Sequence, residues 1–147
     1  MRLEEVEATL AKGYSAWRDG EVLFVRNVET GSEFVIEQFG SSLQVRQAVR
    51  FGCFELEDAA LGRVYRLCSA LNERFSGCKS YVDEWGVFLT ASDILAEGAA
   101  PRAVEVVLGQ IEFISLAAIK LAEVVVDRGR MVAEQEIDDA LESPLLH

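Results

Sequence analysis

Apolar positions recur along this chain at two different spacings, and the spacing changes where the elements change. Val64, Leu67, Cys68, Leu71 and Phe75 fall at i, i+3, i+4, i+7 and i+11, one face of a helix. Arg63, Arg66, Glu73 and Arg74 take much of the opposite side, and Ser76-Gly77 is predicted to end the helix in left-handed geometry. The spacing then drops to two. Cys78, Ser80 and Val82 alternate with Lys79, Tyr81 and Asp83, Glu84-Trp85-Gly86 makes a turn, and residues 87–91 return as a partner strand. Helix, break and hairpin over Val64–Ile94 form the centre around which the rest is arranged. The pattern leaves the cross-strand register open.

Before this centre the chain reads as a short helix and four strands. Leu3, Val6 and Leu10 stripe a helix over Arg2–Lys12, with Glu4, Glu5 and Glu7 near its N-terminal end, where the helix dipole favours them, and Gly13 as its stop. Residues 14–17 begin an edge strand, and Asp19-Gly20 signals a hairpin. Residues 22–25 are an apolar run of the kind covered on both faces. After a turn at residues 29–32, Phe34-Val35-Ile36 is the third strand, and Gly40-Ser41-Ser42 turns the chain again. Leu43, Val45, Gln47 and Val49 alternate with Gln44, Arg46, Ala48 and Arg50, the clearest antiparallel strand of the four. Turns roughly every 8 to 12 residues fit a meander. Glu55, Glu57 and Asp58 then lead into the central helix.

After the hairpin, Pro101 opens a helix predicted to run to about Asp127. Val104, Val107, Leu108, Ile111, Ile114, Ala118, Leu121 and Val125 form its broad apolar face. Glu105, Glu112, Lys120, Glu123 and Asp127 make a narrow polar stripe opposite. Val106, Phe113, Leu116 and Val124 widen the apolar arc beyond the usual single face. Such a helix is either central to a core or shared with another chain. Arg128-Gly129-Arg130 breaks it, and Met131–Leu141 forms a short acidic helix that Ile137 and Leu141 dock. Residues 143–147 read as a flexible tail, and 1–142 as a single domain of α+β class: an antiparallel sheet packed against helices in the order α-ββββ-α-ββ-α with a short C-terminal helix.

Composition narrows the function. Half of the 147 residues are apolar, enough for one sizeable core. The net charge of −11 and pI near 4.5 argue against nucleic acid, which asks for a basic patch, and against an anionic membrane surface. They suit solubility, or a partner with basic segments. Charges within the long helix argue against a membrane span. The first ten residues lack the apolar run of a signal peptide, and with reduced thiols this implies the cytoplasm.

Candidate chemistry is sparse. The single histidine is His147, and the three cysteines, Cys53, Cys68 and Cys78, form no CxxC. Cys68 sits on the apolar helix face as a small hydrophobe; it and Cys78 would face one another across the helix–strand break if a redox pair existed. Asp83-Glu84 reads as a solvated turn, and Glu134, Glu136, Asp138 and Asp139 as a wet helix face without calcium-loop spacing. There is no phosphate-binding glycine loop and no GxSxG. No catalytic residue, cofactor or metal site is assigned. Trp85 at the hairpin tip is either an exposed anchor for a partner or a lid folded over the core, and Trp17 and Tyr14 admit the same two readings.

Leu71-Asn72 near the helix end, a short strand, an acidic turn closed by Gly86, a return strand, Asp93, Gly98 and a long apolar helix together resemble the YbjN family over about residues 1 to 125. Its members are labelled bacterial sensory-transduction regulators and share the fold of type III secretion chaperones. The family often carries two asparagines near this helix end; here Asn72 stands alone, with Cys68 and Ser69 in the preceding turn. The resemblance implies no catalytic residues. It implies a non-enzymatic, chaperone-like regulatory domain that binds a protein partner or itself through apolar surface. Val106, Phe113, Leu116 and Trp85 are the candidate interface. Two alternatives are a dedicated type III secretion chaperone and a small-molecule sensor on the same fold. The sensor would draw on Asn72, Tyr81 and Arg46.

Overall fold

A computed structural model describes residues 1–142; the predicted tail at 143–147 lies outside them. The elements are α1 (Leu3–Thr9), β1 (Tyr14–Asp19), β2 (Val22–Asn27), β3 (Glu33–Phe39), β4 (Ser42–Arg50), a 3-10 turn (Cys53–Glu55), α2 (Asp58–Arg74), β5 (Lys79–Val82), β6 (Phe88–Leu95), α3 (Arg102–Val126) and α4 (Glu134–Glu142). The strands form one six-stranded antiparallel sheet in the order β1-β2-β3-β4-β6-β5. This is the α+β order that the sequence predicts. The chain divides into two compact units, Met1–Gln47 with Ala91–Glu112, and Ala48–Thr90 with the residues from Phe113 onward.

In the first unit, Leu23 and Val25 of β2, Phe34 and Ile36 of β3, and Leu43 and Val45 of β4 are buried at alternate positions. Leu3 and Val6 of α1 and Val104, Leu108 and Ile111 of α3 are buried in the same unit. The hairpin turns differ by one residue from expectation. Asp19 pairs with Val22 and Phe39 with Ser42, so the loops are Gly20-Glu21 and Gly40-Ser41. Glycine takes the first loop position of each with positive φ (62° and 58°), where a side chain would be strained. The β2 run is buried on one face only. Its other face carries Phe24, half-buried and stacked on cross-strand Trp17 with ring centroids 4.3 Å apart.

Helix α1 is shorter than predicted. Thr9 Oγ donates back to the Glu5 carbonyl at 2.6 Å, Leu10 turns extended, and the Ala11 N–H donates to the Glu105 carboxylate at 2.7 Å. A carboxylate thus takes a donor that a longer helix would have satisfied internally.

In the second unit, Val64, Leu67, Cys68 and Leu71 of α2 pack in one core with Ala117, Ala118, Leu121, Ala122 and Val125 of α3 and Ile137 and Ala140 of α4. Arg63 Nε donates to the Val125 carbonyl at 2.7 Å, a cation serving an orphan acceptor at the end of α3. Arg74 bridges to Asp138 of α4 at 2.9 Å. The end of α2 departs from expectation: Phe75 turns extended (φ −132°, ψ 115°), and Gly77 keeps negative φ. The helix ends in extended geometry at Phe75, and residues 76–78 bend into β5 without a left-handed glycine. Strand β6 runs on to Leu95, because Ile94 and Ala96 continue the buried alternation beyond Ala91.

Candidate protein-interaction surface

Helix α3 presents to solvent residues that its sequence pattern does not reserve for water. Val106 is 57% exposed and Phe113, seven residues on and therefore on the same stripe, is 39% exposed. Leu116 and Val124 are half-buried. The expected polar stripe is largely engaged elsewhere. Glu105 accepts the Ala11 N–H, and Asp127 pairs with Arg50 at 3.3 Å. Glu112, predicted to be wet, is instead buried and accepts three side-chain donors from Asn27, Thr30 and Ser32. The helix is rotated so that carboxylates meet donors while Val106 and Phe113 stay outside.

The tip of the β5–β6 hairpin is built by Asp83. Its Oδ1 accepts the N–H groups of Trp85 and Val87, both at 2.9 Å, and its carbonyl accepts Gly86 N–H at 3.1 Å. Asp83 is therefore half-buried turn scaffolding rather than one of two solvated carboxylates. Gly86 has φ 79°, and Trp85 projects with 79% of its surface exposed. Of the two readings of Trp85, the lid over the core is the one the structure overturns.

Of two residues that sequence reasoning passed over, Phe54 lies against this tip, and Phe51 precedes it in the same turn. Cys53 N–H donates to the Gly86 carbonyl at 2.8 Å, which joins the turn carrying Phe51 and Phe54 to the hairpin. A Cβ on Gly86 would come within 3.0 Å of the Phe54 ring. Phe51 is 73% exposed and Phe54 53%. The available signal was two phenylalanines flanking Gly52 between a strand and a helix; it has no period to mark it.

The remaining candidates are already occupied. Asn72 exchanges two hydrogen bonds with the Ser80 backbone, accepting at 2.6 Å and donating at 2.9 Å, and so ties α2 to β5. Arg46 pairs with Glu37 at 2.9 Å and donates to Gln44. Tyr81 is half-buried in β5. Cys53, Cys68 and Cys78 are all buried and form no disulfide. Burial, and then the neighbouring Cys53, push the Cys68 thiol up to about 12, so it stays protonated and unreactive. On α4, Glu136 pairs with Arg130 at 2.8 Å and Asp138 with Arg74, so the acidic face is partly spoken for. Among the described residues no group of three potential metal ligands comes together, and no helix is long and apolar enough to cross a membrane.

No family model matches the chain, and no curated protein matches it by sequence. Among solved structures the chain is similar to YbjN from E. coli, with a TM-score of 0.59 at 14% identity, covering 84% of this chain and 91% of that one. It is also similar to a chain of the ExsC–ExsE complex, with a TM-score of 0.49 at 15% identity, covering 77% and 79%. The chain therefore has a YbjN-like fold, the one its residue pattern resembles.

Proposed function

We propose that this chain is a non-enzymatic, chaperone-like protein-interaction domain that holds another polypeptide, a second copy or a client, against the outer stripe of α3. The observation that carries the reading is the outward placement of Val106 and Phe113 on a helix whose Glu105 and Glu112 carboxylates accept donors from within the chain. Large apolar side chains kept at the surface cost solubility and mark sites of association. Phe113 is the central contact, Leu116 and Val106 extend it, and Trp85 supplies a separate anchor at the hairpin tip. The YbjN-like fold adds an analogy at the level of fold alone. Three buried thiols outside any disulfide favour a reducing compartment, and we place the protein in the cytoplasm.

Purification of the tagged full-length chain from its own cells, with light scattering on the product, tests this. The expected result is a mass above the 16.2 kDa of one copy, as a self-assembly or a stoichiometric complex. A lone monomer at every concentration, with no stoichiometric companion, would overturn the proposal.

A further inference from the structure

The second unit holds an aromatic group at its hairpin end that differs in chemistry from the α3 stripe. We infer that Phe51, Phe54 and Trp85 form a recognition site for a cationic linear peptide, an arginine-bearing segment of another protein laid across the exposed rings. The inference rests on the protein-binding reading above and names the partner chemistry of one of its surfaces.

Placement comes first. The Cys53 N–H to Gly86 carbonyl bond and the contact of Phe54 with Gly86 hold the two loops together, and Trp85 is the residue before Gly86. Gly52 and Gly86 both adopt left-handed backbone, with φ 71° and 79°, and Asp83 fastens the tip with four hydrogen bonds. The rings are therefore presented on fixed backbone, which lowers the ordering cost of binding.

Charge decides the occupant. Glu55, Glu57 and Asp58 follow Phe54, Glu84 precedes Trp85, and all four are exposed. Among the described residues no ion pair engages any of them. The sequence has no Lys or Arg between Phe51 and Gly62, or between Ser80 and Pro101. Of the flanking cations, Arg50 is paired with Asp127, Arg63 serves the Val125 carbonyl, and Lys79 opens β5. Exposed aromatic faces attract guanidinium groups through their quadrupole, and unpaired carboxylates around them add Coulomb attraction. A neutral apolar segment makes no use of that rim, and an anionic one is repelled.

The test uses the full chain with Trp17→Phe, which leaves Trp85 as the sole tryptophan emitter. The probes are octa-arginine and octa-glutamate peptides. Octa-arginine is expected to change Trp85 emission saturably, and octa-glutamate to leave it unchanged. Fluorescein-labelled octa-arginine should bind at least tenfold more weakly to Trp85→Ala and to Phe51→Ser, neither of which alters net charge. Glu55→Gln with Glu84→Gln should weaken it as well, whereas Glu134→Gln with Glu142→Gln, the same charge loss on α4, should not. Circular dichroism melts confirm folding of each variant. Octa-arginine binding indifferent to Trp85→Ala and Phe51→Ser would show diffuse charge attraction and overturn the inference, as would no binding at all. Association through α3 is read separately with Phe113→Asp, so failure here leaves the protein-binding reading intact.

Discussion

The Thr30 hydroxyl donates to the Glu112 carboxylate at 2.6 Å, fastening the β2–β3 turn to α3 within the first unit. Ser32 Oγ donates to the same carboxylate oxygen at 2.8 Å, and Asn27 Nδ2 to the other at 3.2 Å. Among the described residues no ion pair involves Glu112, so neutral donors alone satisfy this buried charge. Burial, followed by the charges of Glu112 and Glu105, pushes the nearby Tyr14 phenol above its ordinary range.

Removing the acceptor strands three donors, whereas removing one donor leaves two. Glu112→Leu should therefore destabilise the protein by about 1–3 kcal/mol, and Thr30→Val by less. Urea unfolding measures both; a Thr30→Val loss equal to or above that of Glu112→Leu would contradict the arrangement. Glu112→Gln should also lower the titration of Tyr14, read by tyrosinate absorbance, because one of the two charges raising it is gone.

Gly86→Ala meets two costs, left-handed φ and a clash with the Phe54 ring at 3.0 Å. It should lower stability by about 1–3 kcal/mol. Gly13, with ordinary φ and nothing within 4 Å of an added Cβ, is the matched control. Gly13→Ala should fall within about 0.5 kcal/mol of the parent in thermal melts. Equal effects at both positions would contradict the geometry at the hairpin tip.

How much of this was legible in the sequence depends on whether a period carried the information. The alternation through Leu43, Val45 and Gln47 and the helical spacing of Val64, Leu67, Cys68 and Leu71 predict their burial, since each residue's face follows from its place in the repeat. The outward Val106 and Phe113 were legible as surplus apolar positions. Glu112 was not, because its partners lie 80 or more residues away, at the end of β2 and in the turn after it, and only tertiary contact turns a carboxylate inward. Phe51 and Phe54 were missed because an irregular segment has no period. Gly77 misled because the helix already ends in extended geometry at Phe75, and the bend at residues 76–78 is made without a left-handed residue.

At the start of α4, the Ala133 N–H donates to Glu136 Oε1 at 3.0 Å, half of a capping box whose other half needs a hydroxyl at position 133. Ala133→Ser should supply it and stabilise by about 0.5–1 kcal/mol, measured by urea midpoint. The Arg130 guanidinium and that N–H hold Glu136 down to about 2, against an ordinary 4.5. A depressed carboxylate contributes stability that is complete above 4.5 and lost as pH falls toward 2. Glu136→Gln should therefore be less stable than the parent at pH 6, with the gap closing between pH 4.5 and 2. A gap that persists at pH 2 would contradict the assignment.

The Cys68 thiol, held near 12 by burial, shifts in the opposite sense. A raised thiol contributes stability that is complete below the ordinary 9.0 and lost as pH rises from 9 toward 12. Cys68→Ala should shed part of this alkaline sensitivity, at the cost of a small cavity. With all three cysteines buried, the native chain should resist Ellman's reagent at pH 8 and release three equivalents when unfolded in guanidinium. Rapid reaction of one thiol in the native state would contradict this.

Sedimentation equilibrium of the full chain against its Phe113→Asp variant bears on whether α3 holds another polypeptide. Phe113 lies on the outer stripe, so the charge should leave the fold and melting temperature largely intact while weakening self-association or client binding at least tenfold. A folded Phe113→Asp variant that associates, and binds its client, as tightly as the parent would contradict the proposal.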